Sequence, residues 1–538
     1  MATQTGGLEN NVSNFTTFAN DNPLASREET TLPMAQQTLL LALDQGTSSS
    51  RAAVFNPAGD LVASASVSLP IQYPANGWVE QDPLAIWASQ QQAQIDLYQK
   101  LNDAQRRAIV SCGITNQRET TVLWRRSTGV PCGPALVWQD NRTEAICAEW
   151  KCQGLEHDWR QRSGLLLEPY FSASKIRWML NNHGEAAAAA AADDLCFGTV
   201  ESWLLWQLTK GKRHGSDFSN ASRTLMMDLQ QLQWVEDFRC HVGLPANALP
   251  ELLPCRGDFG EIASGLPFEG LPIQAILGDQ QAATLGQLCL QPGDSKCTYG
   301  TGAFLVINTG EHIYRSDNGL LSTLGWTDAN GVPTYCLEGS LFNAGTVIQW
   351  LRDGLEIIER AEQVNDLAEQ VSDAGGVMLV PAFTGWGTPH WDPNARGLLV
   401  GLTRNSKRGH IARAALEGIA LSVATLVELA EQALGRELRE LAVDGGAAAS
   451  NPLLQAQADS TGLTVRRPAN TESTARGIAL FAGLQAGVID DLKQLALSRY
   501  DGAQLFQPRI SADHRRAWRT HWNDALARSL NWNGRSYH

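Results

Sequence analysis

The chain has 538 residues, of which 43% are hydrophobic and 18% charged. At roughly 100–200 residues per domain that is two to four domains, and so ordinary a composition excludes a fibrous repeat or a chain disordered throughout. A net charge of −14 argues against a nucleic-acid backbone or an anionic membrane as the main partner. It still allows an anionic small molecule held by backbone N–H groups.

Residues 1–37 are dominated by Asn, Thr, Ser, Gly and Glu and show no apolar period. They read as a disordered tail, or as an extension upstream of a second Met at Met34. No basic stretch followed by an apolar one marks an export signal. No run of about 18 apolar residues occurs, so membrane insertion is not expected. The ten cysteines include no C-x-x-C pair. Such spacing suits reduced core thiols, and a cytoplasmic location is expected.

From Leu39 the character changes. An apolar strand is followed by a polar turn, a second strand at Arg51–Phe55, a turn at Asn56–Gly59 and a third strand. Asp82-Pro83 reads as the N-cap and first turn of a helix. Strands and helices alternate thereafter, which predicts an α/β sheet. Lys296–Asn308 repeats the opening pattern: a β-like run, x-Gly-Thr, then a second β-like run. Two such hairpins suggest a duplicated core with two phosphate-facing turns; chance is the alternative, since Gly-Thr turns are common. Ala186–Ala192 reads as helix on propensity alone. His410–Gly435, with apolar residues in steps of three and four, predicts a long buried helix ended by Gly435.

The chain has no Walker P-loop, protein-kinase glycine loop, H-E-x-x-H, G-x-S-x-G or Rossmann fingerprint. Other segments carry the chemistry. Asp44–Arg51 places an acid, a glycine, four hydroxyls and an arginine in one turn, which suits hydrated Mg²⁺ and phosphate oxygens; the alternative is a Ser-rich hairpin. Gly278-Asp279-Gln280-Gln281 follows an apolar strand. A carboxylate there could accept a hydroxyl proton while the amides hold neighbouring hydroxyls; taken in isolation, a strand-terminal turn or a helix N-cap is the stronger reading. Arg118-Glu119 at a strand end could donate to and accept from a polyol, or could be a surface ion pair worth little. Val443-Asp444-Gly445-Gly446-Ala447 reads as a strand followed by small residues that open a helix at Leu453–Ser460 and let backbone lie close to a base or ribose; the alternative is a plain tight turn.

Taken together, these segments resemble the FGGY carbohydrate kinases, and within them the branch that phosphorylates glycerol. The matching stretch runs from about Leu39 to Arg515. Both family signatures stand in the chain: Tyr170-Phe-Ser-Ala-Ser-Lys175-Ile-Arg-Trp178-Met-Leu-Asn-Asn182, and Gly397-Leu-Leu-Val-Gly401-Leu402 through His410-Ile411 to Glu417. GITNQRETT, FGTVESWLLW, NASRTL, GDQQAATLGQLC, TYGTGAF and LEGSLFNAG add to them.

The resemblance implies an α/β fold of two actin-like, ribonuclease-H-type domains flanking a deep cleft. The domains would span 38–287 (polyol and phosphate) and 288–530 (adenine nucleotide). It implies transfer of the ATP γ-phosphate to glycerol with Mg²⁺, and a homodimer or homotetramer. Asp279 would be the general base. Arg118, Glu119, Trp138, Tyr170, Asp279 and Gln280 would contact glycerol, with Phe304 as an apolar wall. Asp44 would orient the metal through water. Thr47, Ser48, Ser49 and Arg51 would face the phosphates from the first domain, and Thr301 and Gly302 from the second. Gly345, Gln349, Gly446 and Ser450 would contact the nucleotide.

Some positions depart from the family pattern. Ser450 stands where an Asn is frequent in the adenine loop, Asn141 replaces a frequent Arg, and Thr388-Pro-His390-Trp replaces Ala-Pro-Tyr-Trp. The loop Ser264–Pro272 lacks the Gly-Thr-Arg through which a sugar bisphosphate inhibits some bacterial members, so no such inhibition is expected. Two rival readings are a kinase of this family for another small polyol or a ketose, and an actin-like nucleotide-binding scaffold without transfer activity. Larger sugars need more room than Tyr170, Trp138 and Phe304 leave, and the intact acids Asp44, Glu119 and Asp279 argue against a scaffold.

Overall fold

The computed structural model describes residues 38–328 and 330–532, so the expected tail at 1–37 lies outside the described residues. The first sheet begins with β1 (Leu39–Gln45), β2 (Ser49–Phe55) and β3 (Leu61–Ser68), joined antiparallel. Asp82 caps helix α1 (Pro83–Lys100) by accepting from Leu84 N–H, and proline fills its first turn. β4 (Ile109–Asn116) and β5 (Ile273–Gly278) then extend the sheet in parallel on the other side of β1. The order is β5-β4-β1-β2-β3.

Between β4 and β5 the chain leaves the sheet to build an insertion that carries helices α2 (Ser172–Asn182) and α3 (Val200–Leu208). Its core is aromatic, with Trp150, Trp159, Phe171 and Phe238, and it includes Phe304 and Leu321 from the second half of the chain. Helix α4 (Asp279–Gly286) follows β5 directly.

The second sheet repeats the plan. β6 (Ser295–Tyr299), β7 (Ala303–Gly310), β8 (Leu321–Thr327) and β9 (Pro333–Leu341) are antiparallel. The long helix α5 (Arg408–Leu434) ends at Gly435, whose φ is 65°. It is long and apolar enough to cross a membrane, but most of that stretch is buried as a core helix. β10 (Glu440–Asp444), helix α6 (Asn451–Thr461) and β11 (Thr464–Arg467) follow. Helix α7 (Ser473–Gln485) and β12 (Gln504–Phe506) complete the set. The order is β8-β9-β7-β6-β10-β11-β12. β6, β7 and β9 correspond to β1, β2 and β3, and the parallel strands β10 and β11 to β4 and β5. The duplication inferred from two hairpins therefore extends to whole sheets.

The composition of β1 shows why the layers form. A strand apolar at nearly every position must be covered on both faces. Leu39, Leu41 and Leu43 pack with Ile86, Ala93 and Leu97 of α1. Leu40 and Ala42 point the other way, into a cluster with Ala282 and Leu285 of α4 and Ile478 and Phe481 of α7. That same cluster contains Val306, Leu324 and Cys336 of the second sheet. Helices α4 and α7 thus lie between the two sheets and share one core with both. On the far face of the second sheet, Leu305 and Ile307 pack with Leu416, Ile419 and Val423 of α5.

The two central helices cross at glycines. A Cβ on Gly477 would sit 1.8 Å from Ala282 O, and one on Gly286 would sit 1.9 Å from Ser473 O. Real Cβ atoms do not approach backbone so closely, and both neighbours are backbone that cannot turn away. Gly477→Ala is therefore expected to lower stability by about 3 kcal/mol or more. Denaturant unfolding checks this, and a loss under about 1 kcal/mol would show that the crossing is looser than described.

Candidate active site

The ends of β4 and β5 place the candidate polyol residues side by side. Arg118 and Glu119 follow β4, and Asp279 and Gln280 open α4 at the end of β5. Glu119 has φ 62°, a left-handed backbone that a non-glycine residue adopts at a cost. The hydroxyls of Thr121 and Ser172 both donate to its carbonyl, each at 3.0 Å, and hold it there.

Four buried charges form the floor. Arg118 Nη1 donates to Glu338 Oε1 at 2.6 Å, and Arg223 Nε donates to Glu119 Oε1 at 2.6 Å. Arg223 Nη1 lies 3.2 Å from Glu338 Oε2, and Arg118 Nε lies 3.4 Å from Asp279 Oδ1. Glu338 belongs to β9, so the pair with Arg118 joins the two halves of the fold. Burial pushes the Glu338 carboxyl up, but Arg118 and Arg223 outweigh that and hold it below its usual range. Burial pulls Arg118 down, yet Glu338 and Glu119 raise it well above its ordinary value. Both are therefore charged.

Asp279 stands apart from this lock. Its side chain keeps 28% exposure. Oδ1 accepts the Gln280 backbone N–H at 2.7 Å and faces Arg118. Oδ2 has no hydrogen-bond partner among the described residues. Burial raises the Asp279 carboxyl above the ordinary aspartate range; Arg118 opposes this, Glu119 adds to it and Lys296 opposes it.

Aromatic rings wall the same place. Trp138 meets Tyr170 at 5.8 Å and Phe304 at 5.7 Å between ring centroids, both edge-to-face. Phe304 comes from β7, so the wall, like the floor, takes a member from each half. Lys175, at the heart of the first signature, is buried and donates to the carbonyls of Pro169 and Tyr170, which fixes the turn that aims Tyr170. Burial lowers Lys175 to about 8. Trp138 Nε1 donates to Thr47 Oγ1 at 3.0 Å, tying the wall to the first glycine turn.

In that turn Gly46 N–H donates to Ser49 O at 2.9 Å, and Ser48 and Ser49 stand exposed. Asp44 pairs across the strands with Arg51. Burial lifts the Asp44 carboxyl to about 7; Arg51 opposes this and Asp279 adds to it. The Arg51 guanidinium also pairs with Glu472, just ahead of α7.

The second turn is a knot of backbone. Gly300 N–H donates to Gly302 O at 2.9 Å, Gly345 N–H to Gly300 O at 2.9 Å and Ala344 N–H to Thr301 O at 2.8 Å. Gly445, with φ 86°, lies so close that a Cβ there would sit 2.5 Å from Tyr299 O. Thr301, Gly302, Gly345 and Gly446 are thereby gathered. Gln349 is exposed at the end of its short helix, and no hydrogen bond joins it to the other candidates among the described residues. Ser450 caps α6: its hydroxyl accepts from Leu453 N–H at 3.2 Å and donates to Asn365 Oδ1 at 2.5 Å.

Residues 39–286 match the N-terminal domain of the FGGY family of carbohydrate kinases, and residues 295–486 its C-terminal domain. The chain belongs to the FGGY family of carbohydrate kinases. A glycerol kinase of Carboxydothermus hydrogenoformans is 45% identical over 494 residues, 92% of this chain and 98% of the relative. One from Ralstonia nicotianae is 48% identical over 490 residues, 91% of this chain and 97% of the relative. Among solved structures, Plasmodium falciparum glycerol kinase with ADP superposes with a TM-score of 0.84 at 32% identity, covering 92% of this chain and 98% of that one. A ligand-bound xylulose kinase from Lactobacillus acidophilus, 20% identical with a TM-score of 0.79, shares the fold. The two-domain actin-like architecture expected from the FGGY resemblance is thus the architecture found.

Three site residues escaped the sequence reading: Arg223, Lys296 and Glu338. Two of them had a signal. Lys296 and Glu338 are each the single charge in their strand, and a charge that a sheet buries must be paired. Their partners lie far away in sequence, so no spacing reveals them. Glu338→Gln would leave Arg118 and Arg223 sharing Glu119, and breaking a buried pair costs about 3–5 kcal/mol. Thermal and denaturant unfolding of Glu338→Gln should show that loss; wild-type stability would mean the charges are solvated rather than locked.

Proposed function

We propose that the chain transfers the γ-phosphoryl group of ATP to a terminal hydroxyl of glycerol, with Asp279 as the general base. The observation that carries this reading is the unpartnered Oδ2 of Asp279 beside a locked donor, Arg118, and a locked acceptor, Glu119, under a wall of three aromatic rings. Relatives 45–48% identical over nearly the whole chain that are named glycerol kinases support the same reaction.

An alcohol is a poor nucleophile until its proton leaves. Asp279 Oδ1 is occupied, so Oδ2 takes that proton as the new P–O bond forms. Arg118 donates to one hydroxyl and Glu119 accepts from another. Trp138, Tyr170 and Phe304 cover the carbon edge and exclude water, which would otherwise compete for the phosphoryl group. Rings set 5.8 and 5.7 Å apart between centroids favour a small polyol over a bulkier ketose.

Charge develops on the phosphoryl oxygens, and fixed donors stabilise it without reorganising. Thr47, Ser48, Ser49 and Arg51 supply donors from the first sheet, and Thr301 and Gly302 from the second. Gly345, Gln349, Gly446 and the Ser450 loop take the adenine nucleotide. Among the described residues no three His, Cys, Asp or Glu side chains form a metal-ligand set. A lone half-buried carboxylate such as Asp44 suits Mg²⁺ that keeps its waters and is bound chiefly by the phosphates. A divalent cation beside Asp44 also offsets the burial that opposes its ionisation. The metal supplies charge neutralisation at the transferring group.

Asp279→Asn should lower kcat for glycerol at least about 10²-fold in a coupled assay, with the KM for ATP little changed. Because Asp279 titrates above the usual value of about 3.9, the acid limb of kcat/KM should lie above that value. Glu119→Gln removes a neighbouring anion that raises it, so the limb should move to lower pH. An unchanged kcat in Asp279→Asn, or a limb that moves upward in Glu119→Gln, would refute the assignment.

A further inference from the structure

Lys296 is a fully buried ammonium in β6 with no carboxylate within ion-pair distance among the described residues. Its Nζ donates to Gln280 Oε1 at 2.6 Å and to Thr298 Oγ1 at 2.6 Å. The Thr298 hydroxyl in turn donates to Asp444 Oδ1 at 2.5 Å. Asp444 also accepts from Gln287 Nε2, at the far end of α4, at 3.3 Å. A buried polar chain therefore runs from the candidate polyol site, through the second sheet, to the C-cap of the central helix. Leaving any member unpaired would carry the full desolvation cost of that group.

The chemistry of Lys296 settles how Gln280 is oriented. An ammonium has three donors and no acceptor, whereas a carboxamide has one end of each kind. Only the amide oxygen can face Lys296, so the amide nitrogen must point the other way. Nε2 has no acceptor among the described residues, and it is not among the fully buried unpaired atoms. Gln280 therefore shows the cleft a donor and no acceptor. Its neighbour Asp279 shows the cleft Oδ2, an acceptor and no donor. Adjacent residues thus present one of each.

We propose that Lys296 is a positioning residue for polyol recognition: by capturing Gln280 Oε1 it makes Gln280 a pure donor, so the substrate atom bound there must be an oxygen lone pair. This rests on the reading of Gln280 and Asp279 as polyol contacts. A hydroxyl is accepted at that position; a deoxy carbon is not, and a protonated amine is repelled. Lys296 itself does not touch the substrate and acts through the amide.

The test uses steady-state kinetics with glycerol on the full chain. Gln280→Glu keeps a partner for Lys296 but removes the donor; Gln280→Ala removes both. Each should raise the KM for glycerol about three- to tenfold, the loss of one hydrogen bond, with the KM for ATP within about twofold of wild type. Lys296→Met frees the amide to turn and should raise the glycerol KM similarly. In a Gln280→Ala background, Lys296→Met should add less than about twofold, because its effect runs through that side chain. If Lys296→Met does not fold, the Gln280→Glu and Gln280→Ala pair decides alone. A Gln280→Glu enzyme with wild-type glycerol KM beside a weakened Gln280→Ala overturns the donor assignment and leaves the polyol site standing. An unchanged glycerol KM in Gln280→Ala overturns both.

Discussion

Two buried arginines and two buried glutamates balance one another at the floor of the cleft, with Lys296 and Asp279 beside them, and the rest of the structure is arranged around that constraint. The cations are Arg118 and Arg223; the carboxylates are Glu119 and Glu338. Removing such groups from water costs several kcal/mol each unless partners meet them with good geometry. The partners come from β4, β6, β9, the insertion and the start of α4, so the two sheets and the insertion must hold one register for the charges to cancel. The glycine crossing of α4 and α7 serves the same end, since it lets both sheets share one core at close range. With Arg118 and Arg223 locked onto Glu338 and Glu119, a small remainder faces the cleft: one oxygen of Asp279, the amide nitrogen of Gln280 and the open edges of Arg118 and Glu119. Those are the groups that a small polyol needs.

A second constraint is the charge of −14, which opposes binding of a nucleoside triphosphate. The fold answers locally. In the proposed reaction two hairpins, related by the duplication, would offer backbone N–H groups and hydroxyls to the phosphates, whose short-range contacts would outweigh a field screened over about 8–10 Å. Asp44 shows the opposing pull in one residue, a carboxylate that burial holds up to about 7 and that a divalent cation would return to its charged form. In the proposed reaction, phosphate binding would rest on the turns and a metal, and polyol binding on the ionic floor. Trp138, hydrogen-bonded to Thr47 and edge-to-face with Tyr170 and Phe304, is the side chain that touches both.

Much of this was legible in the chain before any coordinates. β1, the cap at Asp82-Pro83, the helix ended by Gly435 and the repeated hairpin are local signals, set by period, capping and turn chemistry, and each appears as an element within a few residues of its expected place. The candidate site residues could be named because they sit in dense motifs at strand ends. Motifs do not reveal pairing. Glu338 could be seen as the single charge of its strand, but not that it would meet Arg118, more than 200 positions away. The swap of α7 onto the first sheet is equally silent, since nothing in the Ser473–Gln485 stretch says which sheet it covers. Ser450 illustrates a milder limit: its type fits a helix cap, and only the structure shows its hydroxyl given to Asn365.

The most direct test of the account is a crystal structure with glycerol and a non-hydrolysable ATP analogue. The account predicts a terminal hydroxyl oxygen within about 3.2 Å of Asp279 Oδ2, pointing toward the γ-phosphate position, with the Arg118–Glu338 pair intact beneath it. Glycerol bound elsewhere in the cleft, or Asp279 turned to the protein with no oxygen facing the substrate, would contradict it.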